Sequence, residues 1–198
     1  MTALVIAAPL RLEAALVRSA ARGTRVQTTG MGVERSRSAA PRLGGTPGDA
    51  LLVLGFCGGL DESSRPGEVV VADEVWAAAD EGHDNRPIGC EGAGALAAAV
   101  AGQGLRVRRG PIVSVGRIAL GERRAQLHRA GALAVDMESA WLAAGAAGRP
   151  FGVVRVVLDS PSHELLRPGI AIWGPRAARA LRRAAGAAVR GWVPGRVR

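Results

Sequence analysis

The sequence predicts a three-layer α/β/α fold around a central mixed, largely parallel sheet, and three observations carry that expectation. Apolar runs of strand length alternate with helix-period segments along the whole chain, the pattern of consecutive βαβ units. At 198 residues the chain can bury well over half of its unfolded surface around one core, so a single domain over 1–198 is expected. Glycine turns and carboxylates fall where predicted strands end, the edge at which α/β sheets hold their ligands.

Strands are expected at about 3–8, 25–29, 50–56, 68–75, 110–115, 132–136 and 151–158, each rich in Val, Leu, Ile or Ala. The last, Phe151-Gly-Val-Val-Arg-Val-Val-Leu158, is almost unbroken, as a strand covered on both faces should be. Helices fit about 10–21, 33–41, 93–102, 121–130, 138–147 and 175–192. In the final helix Pro175 suits the first turn, and Ala178, Leu181, Ala185, Ala188 and Trp192 recur as one inward stripe. Gly44–Asp49, Asp61–Gly67, Asp80–Gly94 and Ser160–Gly174 are rich in Gly, Pro, Asp or Ser and read as loops.

Composition excludes several classes. No apolar stretch reaches the roughly 18 residues of a membrane span, and the start of the chain lacks a basic region before its short apolar run. A soluble, cytoplasmic protein is expected. Cys57 and Cys90 lack metal or disulfide spacing and read as reduced thiols. All 26 basic residues are arginine, and after Glu164 there are eight (167, 176, 179, 182, 183, 190, 196, 198) with no acid. Nucleic-acid binding would want stacking aromatics among them, whereas the chain has no tyrosine and two phenylalanines. The arginine-rich terminus reads as the solvated face of a packed helix or as a peripheral contact with an anionic membrane. The alanine-rich surface, with tryptophan expected on it, would permit a homo-oligomer.

The candidate chemistry lies in acids at strand ends. Ala134-Val-Asp-Met-Glu-Ser-Ala140 puts Asp136 and Glu138 where a short strand becomes a helix, Glu13 opens the first helix, and Asp159 follows the last strand. Each has a bland alternative: Asp136 as a helix cap, Glu13 and Glu138 as helix-dipole residues, Asp159 as cap of a short helix near Ser162. Their convergence on one sheet edge favours a shared site. Gly55-Phe-Cys-Gly-Gly-Leu60 is either an anion nest or a tight turn. Thr29-Gly-Met-Gly32 precedes a helix whose amides would face the same edge. Arg11, Arg35 and Arg117 each follow a strand, where a guanidinium could take phosphate bidentately, although among 26 arginines each is as readily an ordinary surface residue. His83, His128 and His163 form no zinc pattern, so no metal is assigned, and no serine has a hydrolase elbow.

Taken in order, Glu13, Thr28-Thr-Gly-Met-Gly32, Gly55-Phe-Cys-Gly-Gly-Leu60, Pro66-Gly-Glu-Val-Val-Val-Ala-Asp-Glu74, Val135-Asp-Met-Glu-Ser139 and Val157-Leu-Asp159 resemble the nucleoside phosphorylase and nucleosidase superfamily. Ser114 to His128, leading into Ala134–Ala140 and Val154–Asp159, looks most like the hopanoid-associated phosphorylases, linked to removal of adenine from adenosylhopane. The resemblance implies cleavage of the N-glycosidic bond of a 5′-substituted adenosine with no cofactor, phosphate being a possible co-substrate. It implies that Glu138 grips the ribose hydroxyls, Met137 packs on the sugar, and Asp159 protonates adenine N7 from a desolvated pocket that raises its carboxyl pKa. Phe56, Cys57, Gly58 and Gly59 would line the nucleophile and ribose side. Phosphate would be held by Arg11, Arg35 or Arg117; water would use Glu13 as base. Ile118 stands where related nucleosidases tend to place an aromatic on the purine, and the stretch 76–104 is short for a base-covering loop. The competing readings are a methylthioadenosine or adenosylhomocysteine nucleosidase, and a non-catalytic nucleoside-binding protein.

Overall fold

The computed structural model describes residues 3–79, 86–163 and 170–192, the side chains of 170 and 171 excepted. The chain runs β1 (Leu4–Ala8), α1 (Arg11–Ala20), β2 (Arg25–Thr28), α2 (Val33–Gly44), β3 (Ala50–Gly59), β4 (Val69–Ala77), β5 (Ile88–Gly89), α3 (Ala93–Ala101), β6 (Val107–Ser114), α4 (Gly121–Arg129), β7 (Ala134–Asp136), α5 (Ser139–Leu142), a 3-10 turn (Ala143–Ala146), β8 (Phe151–Asp159) and α6 (Ile170–Gly191). β1 pairs in parallel with β2 and β3, β3 with β8, and β6 with both β4 and β7, while β3–β7, β4–β5 and β4–β8 are antiparallel. The expected α/β/α layering around a mixed, largely parallel sheet is present. The sheet also closes on itself, because β8 bridges β3 to β4 and β7 bridges β6 back to β3.

Burial explains the layers. β1, β3 and β8 are buried along nearly their full length, as strands covered on both faces must be. On one side Ile6, Leu52, Leu54 and Val154 pack under α1, α3 and α6; on the other Val5, Leu51, Val53 and Phe151 pack under α2 and α5. In α6, Leu181, Ala185 and Ala188 face the core as predicted, as does Trp192 just past its end, while Ala178 is only half-buried and Arg176, Arg179, Arg182, Arg183 and Arg190 are exposed. Arg167, Arg196 and Arg198 lie outside the described residues, as does His83. No helix among the described residues is long and apolar enough to cross a membrane.

Several boundaries differ from the sequence reading. α6 begins at Ile170, inside the segment expected to be a loop, so Pro175 sits within the helix and costs it one backbone bond. β5 pairs with β4 inside the expected 80–94 loop. The expected helix 138–147 is one α turn followed by the 3-10 turn, with Ala147 at φ +51 closing it. No tryptophan is exposed: Trp141 and Trp192 are buried, the latter donating Nε1–H to Glu91 O at 3.0 Å, and Trp76 and Trp173 are half-buried. The surface tryptophan that favoured oligomerisation is therefore not there. Cys57 is buried, Cys90 half-buried, and both are free.

Candidate active site

The glycine run 55–59 is neither nest nor turn; it continues β3, predicted to end at 56, to Gly59. Neighbouring side chains occupy the space a Cβ would need. A Cβ on Gly55 would stand 2.5 Å from Arg155 Nη1 and 2.7 Å from Glu13 Oε1, and one on Gly59 would stand 2.4 Å from Ser64 Cβ. One on Gly58 would stand 3.2 Å from both Arg124 Nη2 and Asp159 Oδ1. Charged groups thus approach the centre of the sheet because β3 presents no side chain there.

Glu13, on the first turn of α1, turns back into the protein. Its Oε2 accepts from Leu10 N–H at 2.6 Å and its Oε1 from Phe56 N–H at 2.7 Å. Burial raises its pKa above the ordinary 4.5, against the lowering effects of the Arg155 charge and of these two amides. Glu138 is likewise buried, at 5% exposure, and its Oε1 accepts from Gly32 N–H at 3.0 Å. Gly32 caps α2 at φ +91, so the motif before that helix aims an amide at a carboxylate. Burial pushes Glu138 up from 4.5 to about 7; Arg155 opposes the rise and the Asp136 and Glu13 charges add to it.

Asp136 is spent structurally. Its Oδ1 accepts from Ser114 Oγ at 2.5 Å and from the Glu138 and Ser139 amides at 3.2 Å each, which ties the end of β7 to the turn into α5 without making it the helix cap, a place Glu138 holds, and its Oδ2 lies 2.7 Å from Arg155 Nη2. Arg155 is wholly buried; it also reaches Ser139 Oγ at 3.0 Å, Phe56 O at 3.3 Å and Glu138 Oε2 at 3.4 Å. Sequence reasoning passed over this arginine, although a lone charge inside an otherwise apolar buried strand must meet partners and was a readable signal.

Asp159 ends β8, and Ser160 and His163 form a tight bridge after it; most of the short helix expected near Ser162 lies outside the described residues. The pocket around it is desolvated, as expected, but Arg124 donates Nη2–H to Asp159 Oδ2. Arg124 is itself buried, held by Ala119 O at 2.8 Å and Gly59 O at 3.2 Å. Against a background of 26 arginines nothing in the sequence marked it.

These groups open into one cleft of about 190 Å³. Glu13, Glu138 and Asp159 line it with Met137, Phe56, Cys57, Gly58 and Arg124, alongside Leu10, Met31, Val115 and Ile118. Gly59 is buried behind it. Arg11, Arg35 and Arg117 are exposed and line no part of it; the first two stand on the opening turns of α1 and α2, and Arg35 folds over Gly30. The site is not one parallel edge either. β7 runs antiparallel to β3, and closure of the sheet, not strand direction, delivers Glu138 to the ends of β1, β3 and β8. Among the described residues no group of three or more His, Cys, Asp or Glu could hold a metal ion.

A family model described as the phosphorylase superfamily matches residues 21–189. The chain belongs to the phosphorylase superfamily. That makes it an enzyme of the nucleoside phosphorylase or nucleosidase kind. Solved structures with the superfamily's fold include the 5′-methylthioadenosine/S-adenosylhomocysteine nucleosidase of Neisseria meningitidis in complex with methylthio-immucillin-A. It is 19% identical with a TM-score of 0.80, over 96% of this chain and 99% of that one. The Campylobacter jejuni nucleosidase of the same name is 15% identical with a TM-score of 0.79, over 96% and 98%. The S-adenosylhomocysteine nucleosidase of Streptococcus pyogenes is 21% identical with a TM-score of 0.75, over 93% and 96%. A search of curated proteins found no match.

Proposed function

We propose that this superfamily member hydrolyses the N-glycosidic bond of a 5′-substituted adenosine, releasing adenine, and that its preferred 5′ substituent is large and apolar. The observation that carries the reading is the meeting of Glu13, Glu138 and Asp159 in one cleft whose remaining lining, Arg124 and Asp136 apart, is apolar. Breaking the C1′–N9 bond leaves positive charge on the ribose and sends the bonding electrons to the purine, so opposite ends of the site need opposite help. Glu138, ionised, accepts hydrogen bonds from the ribose hydroxyls beside Met137 and stabilises the sugar cation. Glu13, with its raised pKa, takes the proton of the attacking water. At the base end Asp159 delivers a proton to N7, and the Arg124 guanidinium offsets the charge that donation leaves on the carboxylate.

Water is favoured over phosphate because none of the three candidate arginines lines the cleft, while Arg124 and Arg155 are held by protein acceptors. The apolar 5′ group is favoured by the rim. Leu10, Met31 and Ile118 line the cleft yet remain 38%, 47% and 59% exposed, and Leu12 and Leu120 are exposed beside them in sequence. Such a rim suits a hydrocarbon such as that of adenosylhopane, as the resemblance to hopanoid-associated phosphorylases suggests, better than a methylthio group. A homo-oligomer, which the alanine-rich surface would permit, belongs to the proposal and is checked by light scattering in solution.

The test is adenine release from adenosine, methylthioadenosine, S-adenosylhomocysteine and a 5′-long-alkyl adenosine, with and without phosphate. The expected result is phosphate-independent release, fastest for the alkyl compound, and lost in Asp159→Asn. Release that requires phosphate overturns the hydrolytic assignment, preference for methylthioadenosine overturns the apolar substituent, and an intact protein that cleaves nothing overturns the reading as a whole.

A further inference from the structure

We infer a second binding site, independent of the catalytic reading: a groove for a phosphate ester that also carries free hydroxyls, the chemistry of a glycerophosphate headgroup or a small polyol phosphate. It lies between the first half of α6 and the turns that lead into β4 and β6. Arg65, Arg106, Arg176, Arg179 and Arg183 line a groove of about 320 Å³ in which Glu68 is the single carboxylate. It shares no lining residue with the catalytic cleft.

Two glycine turns make its floor. Gly67 and Gly104 have φ of +87 and +68, and the missing side chains let arginines lie across them. Arg176 Cγ rests 3.0 Å from where a Gly67 Cβ would stand, and Arg183 Nη2 rests 3.8 Å from the Gly104 position. The cations are poorly neutralised from within. Arg106 Nε lies 2.8 Å from Glu68 Oε1; Arg183 and Arg65 donate to the backbone carbonyls of Gln103 and Ser64. Arg176 and Arg179 have no carboxylate partner among the described residues. Five guanidinium groups against one carboxylate repel one another until an anion enters, and the planar fork of each matches two phosphate oxygens.

Glu68 adds the second half of the specificity. It is buried at 2% exposure in the groove wall, and neither of its oxygens receives a well-directed hydrogen bond despite the nearby Arg106. A bare phosphate would be repelled by this carboxylate. A hydroxyl on the same ligand would give a donor to its second oxygen, which Arg106 does not reach, and a buried acceptor without a donor is costly.

The experiment is calorimetric titration of the full chain with glycerol 3-phosphate and with inorganic phosphate, beside flotation with phosphatidylglycerol and phosphatidylcholine vesicles. Glycerol 3-phosphate should bind saturably, more tightly than phosphate, and more weakly as salt rises. Arg176→Ala with Arg179→Ala should weaken it roughly tenfold or more, with thermal unfolding and adenine release unchanged. Glu68→Gln should strengthen inorganic phosphate binding and narrow the gap between the two ligands. Flotation with phosphatidylglycerol that the double substitution abolishes identifies a lipid headgroup as the source, and soluble binding without flotation identifies a free polyol phosphate. No saturable binding of glycerol 3-phosphate, or binding that the double substitution leaves intact, overturns the site.

Discussion

Replacing Glu138 by glutamine separates what this side chain does for catalysis from what it costs the fold. The pKa of the buried carboxyl stands at about 7 in the folded protein against 4.5 when exposed. A group raised in this direction contributes stability that is fully present below 4.5 and is lost as pH climbs through 7. At about 1.4 kcal/mol for each pH unit between the two values, the loss is on the order of 3 kcal/mol. Glutamine cannot ionise, yet its amide oxygen can still accept from Gly32 N–H, and Arg155 keeps Asp136, Ser139 and Phe56 O. Glu138→Gln should therefore match the parent at about pH 4 and be more stable at pH 8, by up to about 3 kcal/mol, in urea unfolding of the free protein. Catalysis should move the other way. Charged hydrogen bonds to the ribose hydroxyls are worth about 1.5–3 kcal/mol, so kcat/KM should fall roughly 10- to 150-fold. In the parent, kcat/KM should rise with pH as Glu138 ionises near 7, and the variant should lose that limb. A variant destabilised at pH 8, or one that keeps both kcat/KM and its pH limb, would refute the reasoning.

Two further substitutions probe the support of the cleft. Gly55→Ala places a methyl within 2.7 Å of both Arg155 Nη1 and Glu13 Oε1, where neither group can retreat, and should cost about 1–3 kcal/mol in thermal or urea unfolding together with most activity. Normal stability in that variant would mean the strand has more room than the distances allow. Arg155→Met leaves Asp136 buried without its cation and should cost about 3–5 kcal/mol, seen as a lower urea midpoint. It should also raise the Glu138 pKa further, because the Arg155 charge is what opposes the rise, and so shift the pH limb of any remaining activity upward. An unchanged midpoint would show that the buried pair is not needed.

The sequence alone determined the layered α/β architecture, because strand runs, helix periodicity and glycine turns are local signals that burial on both faces of a sheet writes directly into composition. It also marked the acids that would meet: Glu13, Glu138 and Asp159 were legible from their positions at strand ends. Asp136, readable as a cap of the next helix, instead ends β7, and Glu138 stands at the cap position. Tertiary structure decided the rest. Whether 55–59 is a turn or a strand depends on which side chains fill the space left by missing Cβ atoms, and apart from the nearby Ser64 those come from α1, α4, β7 and β8, far away in sequence. Which arginines matter depends on burial. Arg155 and Arg124 are enclosed and bonded to carboxylates, while Arg11, Arg35 and Arg117 face solvent, and composition cannot distinguish them. The closure of the sheet, which brings an antiparallel strand and its Glu138 to the same cleft, is a long-range pairing that no local stretch encodes, because it follows from how β7 and β8 find partners across the whole chain.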